Sequence, residues 1–470
     1  MRILFIYIIF ISNLFSATTK TYGQFAVLSS RYSLFQPPEH LPVWGGGYIG
    51  IDKRDTRVKG SGWNVARYII SLSRYDDKLR KLNDTVLAGG EPVYSSFYAV
   101  LKKSNDSIWF IYIEPAKGSN IGNIKAVPIN STKLQAGNAK TLALEKQVNM
   151  SLKFFGSGDP TIYIESSPDT KNHCLFINTG GDEVFLAGFD ENFTTLWSGR
   201  QKIPGYNGPD ITSISINNMG ETFITSIKKD NTSISIYNRQ GKAEHKKLSF
   251  GSIHPTDIRI YNTKAKEGIL ISGMYAETEN ITGVFSAVIN RKTYMVEKLI
   301  NSDFPEIIIE RLGKSFTKKG GIIPDYLSWQ IFERNNGTLV QVLECKHRLG
   351  ADGLSGTGIG GPITASFTDG GIVFSHIPRY VITRMTTTDN EYFATTCKDD
   401  FILFYKDHVS NLQKSLDERQ TSLNGEKDGV LVAAHIGNDG KVNERVKVGS
   451  SGSNSTENIK MYMSNECLAR

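Results

Sequence analysis

The segment whose spacing most resembles a chemical motif is GADGLSGTGIGGP, in which Gly356, Gly358 and Gly361 satisfy G-x-G-x-x-G. Glycines so placed let a backbone approach a pyrophosphate when a strand precedes them and a helix opens at their end. Here Pro362 follows at once and ITASFTDGG reads as strand and turn, so no helix dipole is expected for a phosphate. The expectation is a surface loop, and insertions over a rigid scaffold are where binding function often sits.

Metal and nucleophile chemistry find less support. His173 and Cys174 are adjacent, and adjacent residues on a strand point to opposite faces. Cys345 and His347 have no C-x-x-C or H-E-x-x-H run to complete a zinc set. No metal and no cofactor is therefore assigned. There is no G-x-S-x-G elbow, and GKS at Gly313 has Ile308 where a phosphate loop needs glycine. No catalytic residue is assigned either. Paired carboxylates are harder to read, because in a repeated fold they reach one pocket from distant segments; Asp210 and Asp257 begin similar segments and could do so. A repeated aspartate is more simply a turn residue or a bond between repeats. Trp44, Trp63, Trp109, Trp197 and Trp329 offer stacking surfaces for sugars, but Trp109 and Trp329 lie in apolar runs and read as core.

These residues must be carried mostly by strands. Past residue 45 the chain is short runs of Ile, Val, Phe, Tyr and Thr broken by Asn, Asp and Gly. Glycine is 44 of 470 residues, about 9%, against a usual ~7%. Helical spacing is scarce; Val409, Leu412 and Leu416 predict one short helix face. Two segments align: DITSISINNMGETFIT from Asp210 and DIRIYNTKAKEGILIS from Asp257, an offset of 47 that lays Ile224 over Ile271. A strand-end turn recurs at Asp76, Asn130, Asp190, Asn238, Asn290, Asp369 and Asn438, with spacings of 54, 60, 48, 52, 79 and 69. The two long gaps hold insertions near 349–362 and 408–424.

A four-stranded unit of this length leaves both faces apolar, and radial repetition covers them. The predicted fold is all-β: a single β-propeller of about seven four-stranded blades over residues 44–470. The strand Ile459 to Met463 is expected to close the ring near Tyr68 to Tyr75. Six or eight blades, or tandem β-sandwiches, are the alternatives.

The strand-end turns F-D-x-N and N-D-G-K, with GGIIPDYLSWQIFERNNGTLVQVLE leading through the Gly-rich insertion to GGIVFSHIP, resemble a group of uncharacterised secreted bacterial propeller-like proteins. The resemblance spans most of the chain and implies fold and export; the group has no established activity to carry over. Repeated Trp-Asp blade ends and sialidase-type Asp turns are both missing.

Residues 1–17 read as a signal peptide: Arg2, an apolar run from Ile3 to Phe15, then Ser16 and Ala17. That run is shorter than the ~20 residues that span a bilayer. Residues 18–43 form an N-terminal extension. The net charge of +7 is spread in short pairs such as Lys102-Lys103 and Lys228-Lys229, which argues against nucleic acid. Cys174, Cys345, Cys397 and Cys467 allow three complete pairings, and buried thiols serve equally well. The expectation is an exported, periplasmic or secreted monomer. It would act as a non-catalytic binding or scaffold protein of the bacterial envelope, with a protein or glycan partner. A glycoside hydrolase or lyase with axial carboxylates is the alternative.

Overall fold

The structure is a computed structural model. It describes segments between His40 and Ser450; residues 1–39, 43–47, 56–66, 150–161, 349–356, 384–392 and 451–470, with shorter stretches, lie outside the described residues. The signal peptide, Asp76, Asp210 and the closing strand from Ile459 to Met463 fall there.

Strands dominate, and they hydrogen-bond largely in chain order. One four-stranded sheet is Ile162–Ser166, Asn172–Asn178, Glu183–Asp190 and Thr195–Lys202. The next is Ile211–Ile216, Thr222–Lys228, Asn231–Tyr237 and Ala243–Leu248. A third is Phe393–Cys397, Asp400–His408, Gly429–Ile436 and Val442–Ser450. The same four-strand run is found, with additions, in His254–Tyr261, Ile269–Ala276, Ile281–Ile289 and Val296–Asp303. It is found again in Tyr326–Glu333, Leu339–Arg348, Ile363–Thr368 and Gly371–His376. Serial four-stranded sheets of this kind define an all-β fold of the β-propeller type.

The chain divides into two compact units, Met1–Ser226 with Ser233–Lys246, and Ile227–Thr232 with Lys247–Arg470. Within the first unit, strand alternation sends side chains to two different cores. Leu175, Ile177, Phe185, Ala187 and Phe189 pack with Trp109, Ile111 and Ile124 of the preceding sheet. Phe176, Val184 and Leu186 pack the other way, against Ile214, Ile224 and Tyr237. Burial on both faces explains why these strands read as nearly continuous apolar runs. In the second unit Val340 and Val342 meet Phe401, Leu403 and Val432. Leu343 and Ile363 meet Met274 and Val284, closed over by Ile308 and Leu312 of the helix Glu306–Leu312. Fourth strands are the exposed ones: Thr195–Lys202 and Val296–Asp303 hold only exposed and half-buried positions. Charged residues there, such as Arg200 and Lys202, discourage pairing with another chain.

The recurring turn lies between the third and fourth strands, and side-chain oxygens shape it. Asp190 Oδ1 accepts from the amides of Asn192 and Thr194, and Asn238 Oδ1 from those of Gln240 and Lys242. Asn130 and Asn290 cap their turns likewise. A residue three past the cap at Asp190 and Asn238, and four past it at Asn130 and Asn290, adopts a left-handed backbone; at Gly241, with φ 76°, glycine meets no steric penalty.

The turns expected at Asp369 and Asn438 are present, with other bonds. At the last one the capping oxygen belongs to Asp439, which accepts from Lys441 N, while Asn438 accepts from Asn336 Nδ2. At Asp369 the Thr368 hydroxyl donates to the Gly371 carbonyl instead. The helix predicted from Val409, Leu412 and Leu416 is only a 3-10 turn, Val409–Gln413, with Val409 41% exposed. Asn411 ends the helical path there: its buried side chain bonds Asp407 and Thr421 rather than leaving the backbone to continue. The α-helix at EIIIERL, Glu306–Leu312, was not expected, because its three consecutive isoleucines carry strand propensity. The offset of 47 holds where Ile211 pairs Ser226 and Ile258 pairs Gly273. On the first strand it becomes 46 from Ser213 to Arg259, because the register shifts between Ile211 and Ser213, while on the second strand it stays 47 and Ile224 lies over Ile271.

Candidate functional site

First strands of successive sheets lie side by side within each unit, and in the second unit His254–Tyr261 packs beside Tyr326–Glu333. The sequence DIRIY alternates along the first of these. Ile258 and Ile260 are buried on one face, which leaves Asp257, Arg259 and Tyr261 on the other. Arg259 Nη2 lies 3.3 Å from Asp257 Oδ2, with side-chain exposures of 14% and 9%. The Tyr261 hydroxyl donates to Glu333 Oε2 at 3.0 Å across the two strands. Burial, and secondarily the Glu333 carboxylate, raise the Tyr261 phenol well above its ordinary value, so it remains a donor.

Two features behind the set fix its geometry. A Cβ on Gly273 would come within 1.8 Å of the Asp257 carbonyl, so the second strand can approach only through glycine. The buried Ser272 hydroxyl reaches Gln341 Oε1 at 2.5 Å, tying the second strands of the two sheets together. The result is a carboxylate, a guanidinium, a phenol and a second carboxylate on two adjoining strands. Such a set can bind hydroxyls or amides through paired donors and acceptors. Among the described residues no group of three or more His, Cys, Asp or Glu is placed to hold a metal ion.

Of the residues singled out in the sequence, Asp257 is in this set and Asp210 lies outside the described residues. Arg259, Tyr261 and Glu333 were missed, although the polar and apolar alternation of DIRIY carries the signal for two of them. His173 and Cys174 do point apart. His173 stacks on Phe193 with ring centroids 4.3 Å apart and has Nδ1 2.8 Å from Ser166 Oγ. Burial lowers its pKa to about 4, so the imidazole is neutral and part of the core. Cys174 is a buried free thiol. Trp109 is 1% exposed and donates to the Glu191 carbonyl at 3.1 Å. Trp197 is half-buried and stacks on Tyr237 at 5.8 Å. The side chains of Trp329, Cys345 and His347 lie outside the described residues.

The Gly-rich stretch is strand-bounded rather than helix-bounded. Gly358 lies in Thr357–Ile359, which pairs with Lys346–Arg348 on one side and Val381–Thr383 on the other. After Gly361 comes the strand Ile363–Thr368. Val381–Thr383 in turn pairs in parallel with Leu423–Asn424, so a small sheet joins the two insertions.

No family model and no curated protein matches the chain. Solved structures do, at low identity. A protein from Lactobacillus plantarum is 10% identical, with 86% of this chain and 96% of that one covered and a TM-score of 0.43. The β-propeller domain of the Trilobed protease from Pyrococcus furiosus is 10% identical, covering 86% and 93% with a TM-score of 0.38. A protein of unknown function from Bacteroides caccae is 10% identical, covering 71% and 92% with a TM-score of 0.29. Among the described residues no helix is long and apolar enough to cross a membrane.

Proposed function

We propose that the chain is an exported β-propeller that binds a protein or glycan of the bacterial envelope, and that Asp257, Arg259, Tyr261 and Glu333 form part of its ligand surface. The observation that carries this reading is the mutual pairing of these four groups on adjoining first strands. Fixed donors and acceptors on strands are suited to recognition, since little freedom is lost when a ligand arrives. Hydrolysis of a glycosidic bond asks for something else: one carboxyl kept as an acid and another left free for water or sugar. Here Asp257 contacts a guanidinium and Glu333 accepts a phenol. Export is supported by the N-terminal pattern from Arg2 to Ala17.

The test is a pull-down from envelope extract and a glycan array, run beside a reducing-sugar and unsaturated-product assay on the same polysaccharides. Retention of a protein or glycan without turnover is expected. Turnover of a polysaccharide with no retention in either binding assay would replace this reading with the hydrolase or lyase alternative.

A further inference from the structure

The layer between the sheets Ile162–Lys202 and Ile211–Leu248 encloses polar groups whose needs it does not meet. Glu165 is 6% exposed and pairs across strands with Cys174, itself 1% exposed. Alternation turns Ile164 toward the preceding apolar cluster and Glu165 toward this layer. From the facing sheet come Ile214 on the first strand, Thr222 and Ile224 on the second, and Tyr237 on the third. Trp197 stacks on Tyr237 at the outer side. Thr222 is the one hydrogen-bonding side chain that reaches the Cys174 thiol, and the Tyr237 hydroxyl is buried without a hydrogen-bond partner.

Cys174 is the titratable group against Glu165, and Tyr237 lies against Cys174 in turn. Both are neutral acids: burial pushes the thiol up to about 12, and burial also raises the phenol. No lysine or arginine from these strands offsets a negative charge, and burial holds the Glu165 carboxyl well above the carboxylate range. A charge formed here, on a residue 6% exposed, would have little water and no counter-ion. Opening the layer hydrates that charge together with the unpartnered Tyr237 hydroxyl, so this is a natural place for local rather than global opening.

We propose that this layer is a proton-linked latch: with Glu165 protonated the two sheets close over Cys174, and loss of the proton opens them locally. The sign follows from linkage. An exposed glutamate has lost its proton above about pH 4.3, whereas the closed layer retains it. Opening therefore releases a proton, and the open population grows about tenfold per pH unit above that value until the closed form itself ionises.

The experiment is alkylation of Cys174 under native conditions in a chain carrying Cys345→Ser, Cys397→Ser and Cys467→Ser, with and without Glu165→Gln. Thiolate formation alone raises the rate by about tenfold per pH unit below the thiol pKa in both chains. The chain retaining Glu165 is expected to rise about a hundredfold per unit, the extra factor being the linked opening. Equal slopes would overturn the proposal. Hydrogen exchange on the natural chain provides a second reading that needs no variant. Protection of Asn172–Asn178 and Thr222–Lys228 should fall about tenfold per pH unit while other core strands hold theirs. Constant protection there, or equal loss throughout the chain, would also overturn it.

Discussion

Three carboxyl groups on first strands occupy two different environments. In the second unit Asp257 has Arg259 at 3.3 Å and Glu333 has the Tyr261 hydroxyl at 3.0 Å. In the first unit Glu165 lies against a thiol in a layer of apolar side chains, with the Tyr237 hydroxyl left without a partner of its own. The meander is the same; the difference is what surrounds each carboxyl. Where donors surround it, Arg259 from the same strand as Asp257 and Tyr261 from the strand beside Glu333, the carboxyl is hydrogen-bonded. Where apolar side chains surround it, the same functional group must keep its proton, and it adds a pH-dependent weakness to the packing.

The comparison can be broken most forcefully through the glycines behind each region. Gly273→Ala would drive a Cβ to 1.8 Å from the Asp257 carbonyl, and a backbone atom in a sheet cannot step aside. A loss of about 3 kcal/mol is expected in urea unfolding. In the other region, Gly188→Ala would meet Trp197 Nε1 at 2.2 Å, the far part of a half-buried side chain that can swing outward. About 1 kcal/mol is expected there, with a shift in tryptophan fluorescence. An equal loss from Gly188→Ala would erase the contrast, and a larger one would show that the first unit is the more tightly constrained. A smaller effect sharpens the contrast: Asn238→Ala removes two bonds from the cap of the sheet facing Glu165. It should cost about 1 kcal/mol in the same assay and leave the pH dependence of Cys174 alkylation unchanged.

The sequence revealed the repeat more readily than the site. Asn130, Asp190, Asn238 and Asn290 were legible because an Asx side chain that caps a turn is a local device, decided within four residues. Where two candidates adjoin, as at Asn438 and Asp439, the local pattern does not say which oxygen turns inward. EIIIERL failed for a related reason: its strand-like isoleucines serve a helix because Ile308 and Leu312 close an apolar cluster built from distant strands. Asp257 was visible through repetition, and its partners were half-visible in the alternation of DIRIY. Glu165 was not visible at all. YIES has the polarity of an ordinary edge, and the side chains that bury it come from strands ending as far along as Tyr237.

The claim that the paired carboxylates form a ligand surface, while the enclosed one serves the packing, is tested most directly by binding of the retained envelope partner to three chains. These are the natural chain, Asp257→Asn with Glu333→Gln, and Glu165→Gln. At one neutral pH, the account predicts that the double variant loses at least tenfold in affinity with its unfolding midpoint near that of the natural chain, and that Glu165→Gln binds as the natural chain does. Undiminished binding by the double variant, or an equal loss in Glu165→Gln, would contradict it.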